Sequence, residues 1–196
     1  MENPYQAPKT IDMTGDDERT SNLNYYVVSK TKLFILLFAT LGFYTIGWGY
    51  LHWKAIKQAK GLNIWPVPRA IFNVFFLHQF MRYAKADGDN HGKNPGYNYS
   101  GSATIAVIVL VANHVIDRLV SKNIGYPVLD VISLLMLIPM AFSLWNIQRS
   151  INEICEDPKG KGNGAIRGTN WIWIIIGLCL WVMVFIWLTS YGSDAA

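Results

Sequence analysis

The residues of this chain best placed for chemistry lie in ANHVIDR, residues 112 to 118. In a helix, His114 stands three residues from Asp117 and four from Arg118, and Asn113 stands four from Asp117, so these polar groups can share a face. Ionisable groups inside an apolar helix are costly and often functional, which makes a proton or ion pathway conceivable here. The structural alternative is that Asp117 and Arg118 close the helix at headgroup depth while Asn113 and His114 bond a neighbouring helix. A second set is purely basic: Lys54, Lys57, Lys60, Arg69, Arg82 and Lys85 cluster in one segment beside an apolar run. Anionic lipid headgroups, or a protein partner, are the natural ligands of such a surface. Nucleic acid is not expected, because these charges flank a membrane segment.

Other stretches resemble chemical motifs without completing them. DGDNHG, 87 to 92, begins like a calcium loop, but His91 takes a ligand position and Asn98 stands where a bidentate Glu is needed. The glycine-rich GKGNGAIRGT, 160 to 169, lacks the Gly-Lys-Ser/Thr ending that cradles phosphate. Neither GxSxG nor HExxH occurs, and the histidines at 52, 78, 91 and 114 are scattered. Cys155 and Cys179 form no CxxC and read as free thiols. No enzyme, cofactor or metal is expected.

These side chains must be carried by membrane helices. The chain is 52% hydrophobic and only 15% charged, a mixture hard to keep soluble. Its charges are segregated: 33–51, 103–116 and 171–188 contain none, and 128–148 holds only Asp130, near its start. Runs of this length read as spanning helices, which need roughly 20 residues for about 30 Å of hydrocarbon. The expectation is an all-α, polytopic bundle with four transmembrane helices at about 33–53, 102–120, 127–148 and 170–190, within a membrane domain 32–191. Residues 1–31 read as a disordered polar tail, and no cleavable signal is evident.

The stretch PVPRAIFNVFFLHQFMRYAK, 66 to 85, is the ambiguous one. Pro68 to Arg82 gives roughly 21 Å of helix, short of a crossing. His78, Arg82 and Lys85 fall on one face and Phe76, Leu77, Phe80, Tyr83 and Ala84 on the other, the pattern of an interfacial helix over about 69–86. A re-entrant or spanning helix and a packed soluble helix are the alternatives. Residues 86–100 read as a polar loop, KGKGNG at 159–164 as a flexible linker, and Pro139 as a kink. Gly42, Thr45 and Gly49 make a stripe of small residues suited to close helix packing within the chain, or to a homo-oligomer.

Charge gives an orientation, since cytoplasmic loops are rich in Lys and Arg. With four spans, 11 of the 17 basic residues share the side of 54–100 and 149–169, which places both termini outside.

MENPYQAP, the aromatic run ending GFYTIGWGYLHWKAIK, and IWPVPRAIF, together about residues 1 to 85, resemble uncharacterised small bacterial inner-membrane proteins with an N-terminal Asn-Pro-Tyr-x-Ala-Pro tail. The resemblance implies a multi-pass protein of the bacterial inner membrane and a cytoplasmic N-terminus, against the charge count. It carries over no functional residue. The functional expectation is a nonenzymatic membrane component that binds lipid headgroups or a protein partner. A small transporter or ion-coupled component using Asn113, His114, Asp117 and Arg118 is the alternative.

Overall fold

The computed structural model describes residues 25–93, 99–125 and 127–194, with side chains over 25–93, 101–125 and 127–186. The tail before Tyr25, expected to be disordered, lies outside the described residues. Among the described residues the regular structure is all helix, with no strand: α1 (Lys30–Ala39), α2 (Tyr44–Lys60), α3 (Pro66–Ile71), α4 (Asn73–Asn90), α5 (Tyr99–Val120), α6 (Val128–Leu135), α7 (Leu137–Ile154) and α8 (Thr169–Asp194), with one 3-10 turn at Lys161–Asn163. Among the described residues, three segments are long and apolar enough to cross a membrane: Gly101–Val120, Val128–Ile154 and Thr169–Ile186. This is a helical membrane protein.

The run 33–53, expected as one span, is instead two helices joined by a turn at 40–43. Two neighbouring helices show that the chain reverses there. Along α8 and the loop before it, Lys32 meets Ala165, a Cβ on Gly177 would meet Ala39 and Thr40, and Trp181 bonds the Phe38 carbonyl. Tyr44 and Gly47 then return to the level of Trp173. Along α7, Asn152 meets Val28, Phe142 meets Phe34, Met140 meets Gly42, and Gln148 meets Trp48 and His52. Both series descend and then climb. α1 and α2 therefore form a hairpin whose tip lies about 12 to 18 Å along α8 from Thr169, well inside the length of that apolar helix.

Irregular backbone amid apolar helices must satisfy its polar groups internally. Gly42 N–H reaches the Leu37 carbonyl at 2.8 Å and Leu41 N–H the Phe38 carbonyl at 3.3 Å, the paired bonds of a Schellman cap. The Thr40 hydroxyl donates to the Leu36 carbonyl at 2.7 Å and accepts from Tyr44 N–H at 2.9 Å, closing the start of α2. Leu41, at φ +50, is the left-handed residue of that cap, and Gly42 follows at φ +87, where glycine removes the strain of a second positive φ. Hydropathy alone reads this run as continuous because the turn is as apolar as the helices on either side.

α3 and α4 make a second re-entry from the same end. Gly49 lies against Ala70 and Asn73, while Lys60 pairs with Asp87, so α4 climbs alongside α2. The interfacial helix expected at 69–86 is broken at Phe72, and its apolar face does not point toward lipid. Leu77, Phe80, Met81 and Ala84 are buried in the core that also holds Trp48 and Trp53. The exposed apolar groups lie at its beginning instead: Trp65, Val67, Ile71, Phe72 and Phe75 are each more than half exposed. The loop expected from residue 86 starts later, because α4 continues to Asn90. It does so because Asp87 and Gly88 face inward, Asp87 toward Tyr25 and Lys60 and Gly88 toward Ile154.

α5 descends from this end and α7 climbs back to it. Near Pro139 the helix breaks at Met136, as expected of a residue that cannot donate to the preceding turn. The 159–164 stretch, expected as a flexible linker, is a folded loop: Asp157 accepts from Lys161 N–H at 2.9 Å and Gly162 N–H at 2.7 Å, and Gly160 is buried against Val28. Gly42, Gly49 and Thr45 pack within the chain, Gly42 against Met140 and Gly49 against Ala70, with Thr45 buried.

Candidate functional site

The most ordered polar assembly is one that sequence reasoning missed. Residues 25–29, expected to belong to the polar tail, form an extended strap ahead of α1, with Val28 fully buried. Three carboxamides hold three successive strap carbonyls. Gln148 Nε2 donates to Tyr26 at 2.8 Å, Asn163 Nδ2 to Val27 at 2.8 Å, and Asn152 Nδ2 to Val28 at 2.9 Å. Asn152 Oδ1 takes a bond from Val28 N–H at 3.4 Å, so its amide pairs with the strap much as a neighbouring strand would. Tyr25 donates to Asp87 at 2.6 Å, and the buried Lys32 ammonium reaches Asn163 and, at 2.9 Å, the Ala165 carbonyl. Burial, followed by the nearby Arg167 charge, lowers the affinity of Lys32 for its proton.

Gln148 joins the strap to α2. Its Oε1 accepts from Trp48 Nε1 at 2.6 Å and lies 3.1 Å from His52 Nε2. The indole can only donate and the Tyr26 carbonyl can only accept, so the amide orientation is determined and His52 must carry its proton on Nε2. His52 Nδ1 is then a buried acceptor with no hydrogen-bond partner. His52 is packed against Trp48 and Phe80, ring centroids 4.5 and 4.8 Å away, and is 1% exposed. Gln148→Leu strands the indole N–H, the imidazole N–H and the Tyr26 carbonyl in the interior. A loss of about 3 kcal/mol is expected in unfolding from detergent micelles; a loss below about 1 kcal/mol is incompatible with these groups being dry.

The basic surface is only partly as expected. Lys60 pairs with Asp87, and Lys85 pairs with Asp89 at 2.6 Å, so two of the six charges are matched locally. Arg69 lies with its Cζ 4.6 Å from the Trp53 ring and 5.0 Å from the Phe76 ring and donates to Gln79 at 2.8 Å. Lys54, Lys57 and Arg82 are exposed and have no ion pair among the described residues.

The 112–118 cluster is divided. Asn113 donates to Asp117 at 3.1 Å, and Ser133 of α6 donates to the other carboxylate oxygen, which ties α5 to α6. His114 is exposed, and its Nδ1 bonds the Leu110 carbonyl of its own helix at 3.0 Å. Arg118 is exposed too. The structure brings together Asn113 and Asp117 but not the His114–Asp117 pair that a proton relay needs. No grouping of metal-binding side chains occurs among the described residues.

No protein-family model, curated protein or solved structure matches this chain.

Proposed function

We propose that this chain is a nonenzymatic, multi-pass component of the bacterial cytoplasmic membrane, with its basic end in the cytoplasm and anionic lipid headgroups as its ligands. The distribution of charge about the fold carries this reading. The strap, the ends of α2, α4 and α7, and the starts of α5 and α8 meet at one end. Of the basic residues within the described segments, only Arg118 and Lys122 lie at the other end. The earlier count of 11 in 17 underestimated this asymmetry because it treated 33–53 as a crossing. With α1 and α2 as a hairpin, the chain crosses three times, and the strap stays on the basic side. The N-terminal side is then cytoplasmic, in line with the resemblance at residues 1 to 85.

Lys54, Lys57 and Arg82 supply the open charge, and Trp65 and Phe75, 74% and 76% exposed, supply apolar groups for the interface. Each basic residue near an anionic surface contributes about 1 kcal/mol, roughly a fivefold change in binding ratio. The full-length protein extracted from membranes of equal phosphatidylglycerol and phosphatidylcholine content is expected to co-purify with an excess of phosphatidylglycerol. The triple variant Lys54→Gln, Lys57→Gln, Arg82→Gln should lose most of that excess, as should wild type at high salt. An unchanged lipid ratio in the variant at low salt would contradict the proposal.

A further inference from the structure

Resting on this lipid-binding reading, we infer that Arg69 forms a discrete phosphate site for one anionic glycerophospholipid at the junction of α2, α3 and α4. Its guanidinium is oriented before any ligand arrives: Trp53 and Phe76 flank it, and Gln79 fixes one amino group. Gln79 is its one hydrogen-bond acceptor among the described residues, so the rest of its donor fork is open. A planar fork held on an aromatic face suits a phosphate better than a mobile ammonium does. One turn on, Asn73 is 5% exposed and leaves Nδ2 without an acceptor, so this junction carries surplus donors and no matching carboxylate.

Depth and surroundings favour a lipid. Gln148, level with Trp48 and His52, lies about 9 Å along α7 from Ile154, and Trp53 stands a further turn of α2 toward the basic end. Arg69 is thus within roughly 5 Å of the level where α7 ends, the depth of headgroup phosphates. Val67 and Ile71 of α3, and Phe72 and Phe75 after it, are each more than half exposed and offer apolar surface to acyl chains. A free phosphate would use none of that apolar surface.

The test uses the full-length protein in neutral detergent, titrated with short-chain phosphatidylglycerol while native mass spectrometry counts bound copies. Wild type is expected to take one copy ahead of the rest. Arg69→Lys, which keeps the charge and loses the fork, should weaken that first copy about tenfold, a difference near 1.4 kcal/mol. Gln79→Leu should weaken it a few-fold while leaving the charge in place. The Lys54, Lys57, Arg82 triple variant should lose later, salt-sensitive copies and keep the first within about twofold. Wild-type affinity for the first copy in Arg69→Lys, or in Gln79→Leu should the former not fold, would overturn the site. Displacement of that copy by millimolar inorganic phosphate would overturn its assignment to a lipid. Absence of the later copies from wild type, with the first still bound, would count against diffuse headgroup binding and leave this site standing.

Discussion

Single cysteines at Lys30, Lys57 and Lys159, placed one at a time in a chain lacking Cys155 and Cys179, are expected to react with a membrane-impermeant thiol reagent from the same side. A cysteine at Lys122 should react from the opposite side. The first three positions are exposed and lie at the end where strap, α2 and the 155–168 loop converge, and Lys122 lies in the turn after α5. The result is all-or-none, because a hydrophilic reagent does not cross hydrocarbon. The decisive comparison is Lys30 with Lys57. They lie on either side of the 33–53 run, so a single crossing there would label them from opposite faces, and a hairpin labels them from one. A phosphatase fusion after Ser190 should be active and one after Gly162 inactive, since α8 lies between them. Lys30 and Lys57 reacting from opposite sides would remove the three-crossing arrangement.

Gly177→Ala is expected to destabilise the protein by on the order of 4 kcal/mol, far more than one added methyl suggests. A Cβ at Gly177 would stand 2.1 Å from the Ala39 carbonyl oxygen and 2.6 Å from its carbon. These are backbone atoms at the hairpin tip and cannot rotate away. α8 would have to lift from α1, breaking the 3.1 Å bond from Trp181 Nε1 to the Phe38 carbonyl. Leu178→Ala on the neighbouring, exposed position is the control and should cost little in detergent. Equal unfolding midpoints for the two variants would mean that α8 does not dock on the hairpin this closely.

The uncharged runs were enough to read α5, the α6–α7 pair and α8, because helices that meet lipid on most sides need little besides apolar residues. The hairpin was not legible in the same way. Its turn, TLGF, is built of residues that also suit an apolar helix, and only Gly42 signals the reversal. A helical wheel placed Phe80 and Ala84 on one face of α4 correctly, but could not say whether Trp53 or an acyl chain lies opposite. The strap clasp shows the limit most sharply. Trp48 and His52, like Gln148 and Asn152, sit four apart on their helices, a spacing visible in the sequence. That these two pairs close on one another across 100 residues follows only from the hairpin and α7 lying side by side. Lys60 and Asp87 were likewise read separately, as a lipid-facing charge and as the start of a loop.

The proposed three-crossing arrangement has a mechanical consequence for the membrane itself. In the half of the bilayer near the basic end, the chain presents α1, α2, the α3–α4 elbow and three crossing helices, while the far half holds only the crossing helices. Its cross-section is therefore a cone, wide in one leaflet and narrow in the other. Lipids around the wide end must splay less and those around the narrow end must fill more area, so lateral pressure on the two leaflets is unequal. A bilayer relieves that imbalance by bending toward the narrow side, with the crowded leaflet on its outer, convex surface. On that arrangement the protein carries a preferred curvature in its outline, independent of any charge it displays.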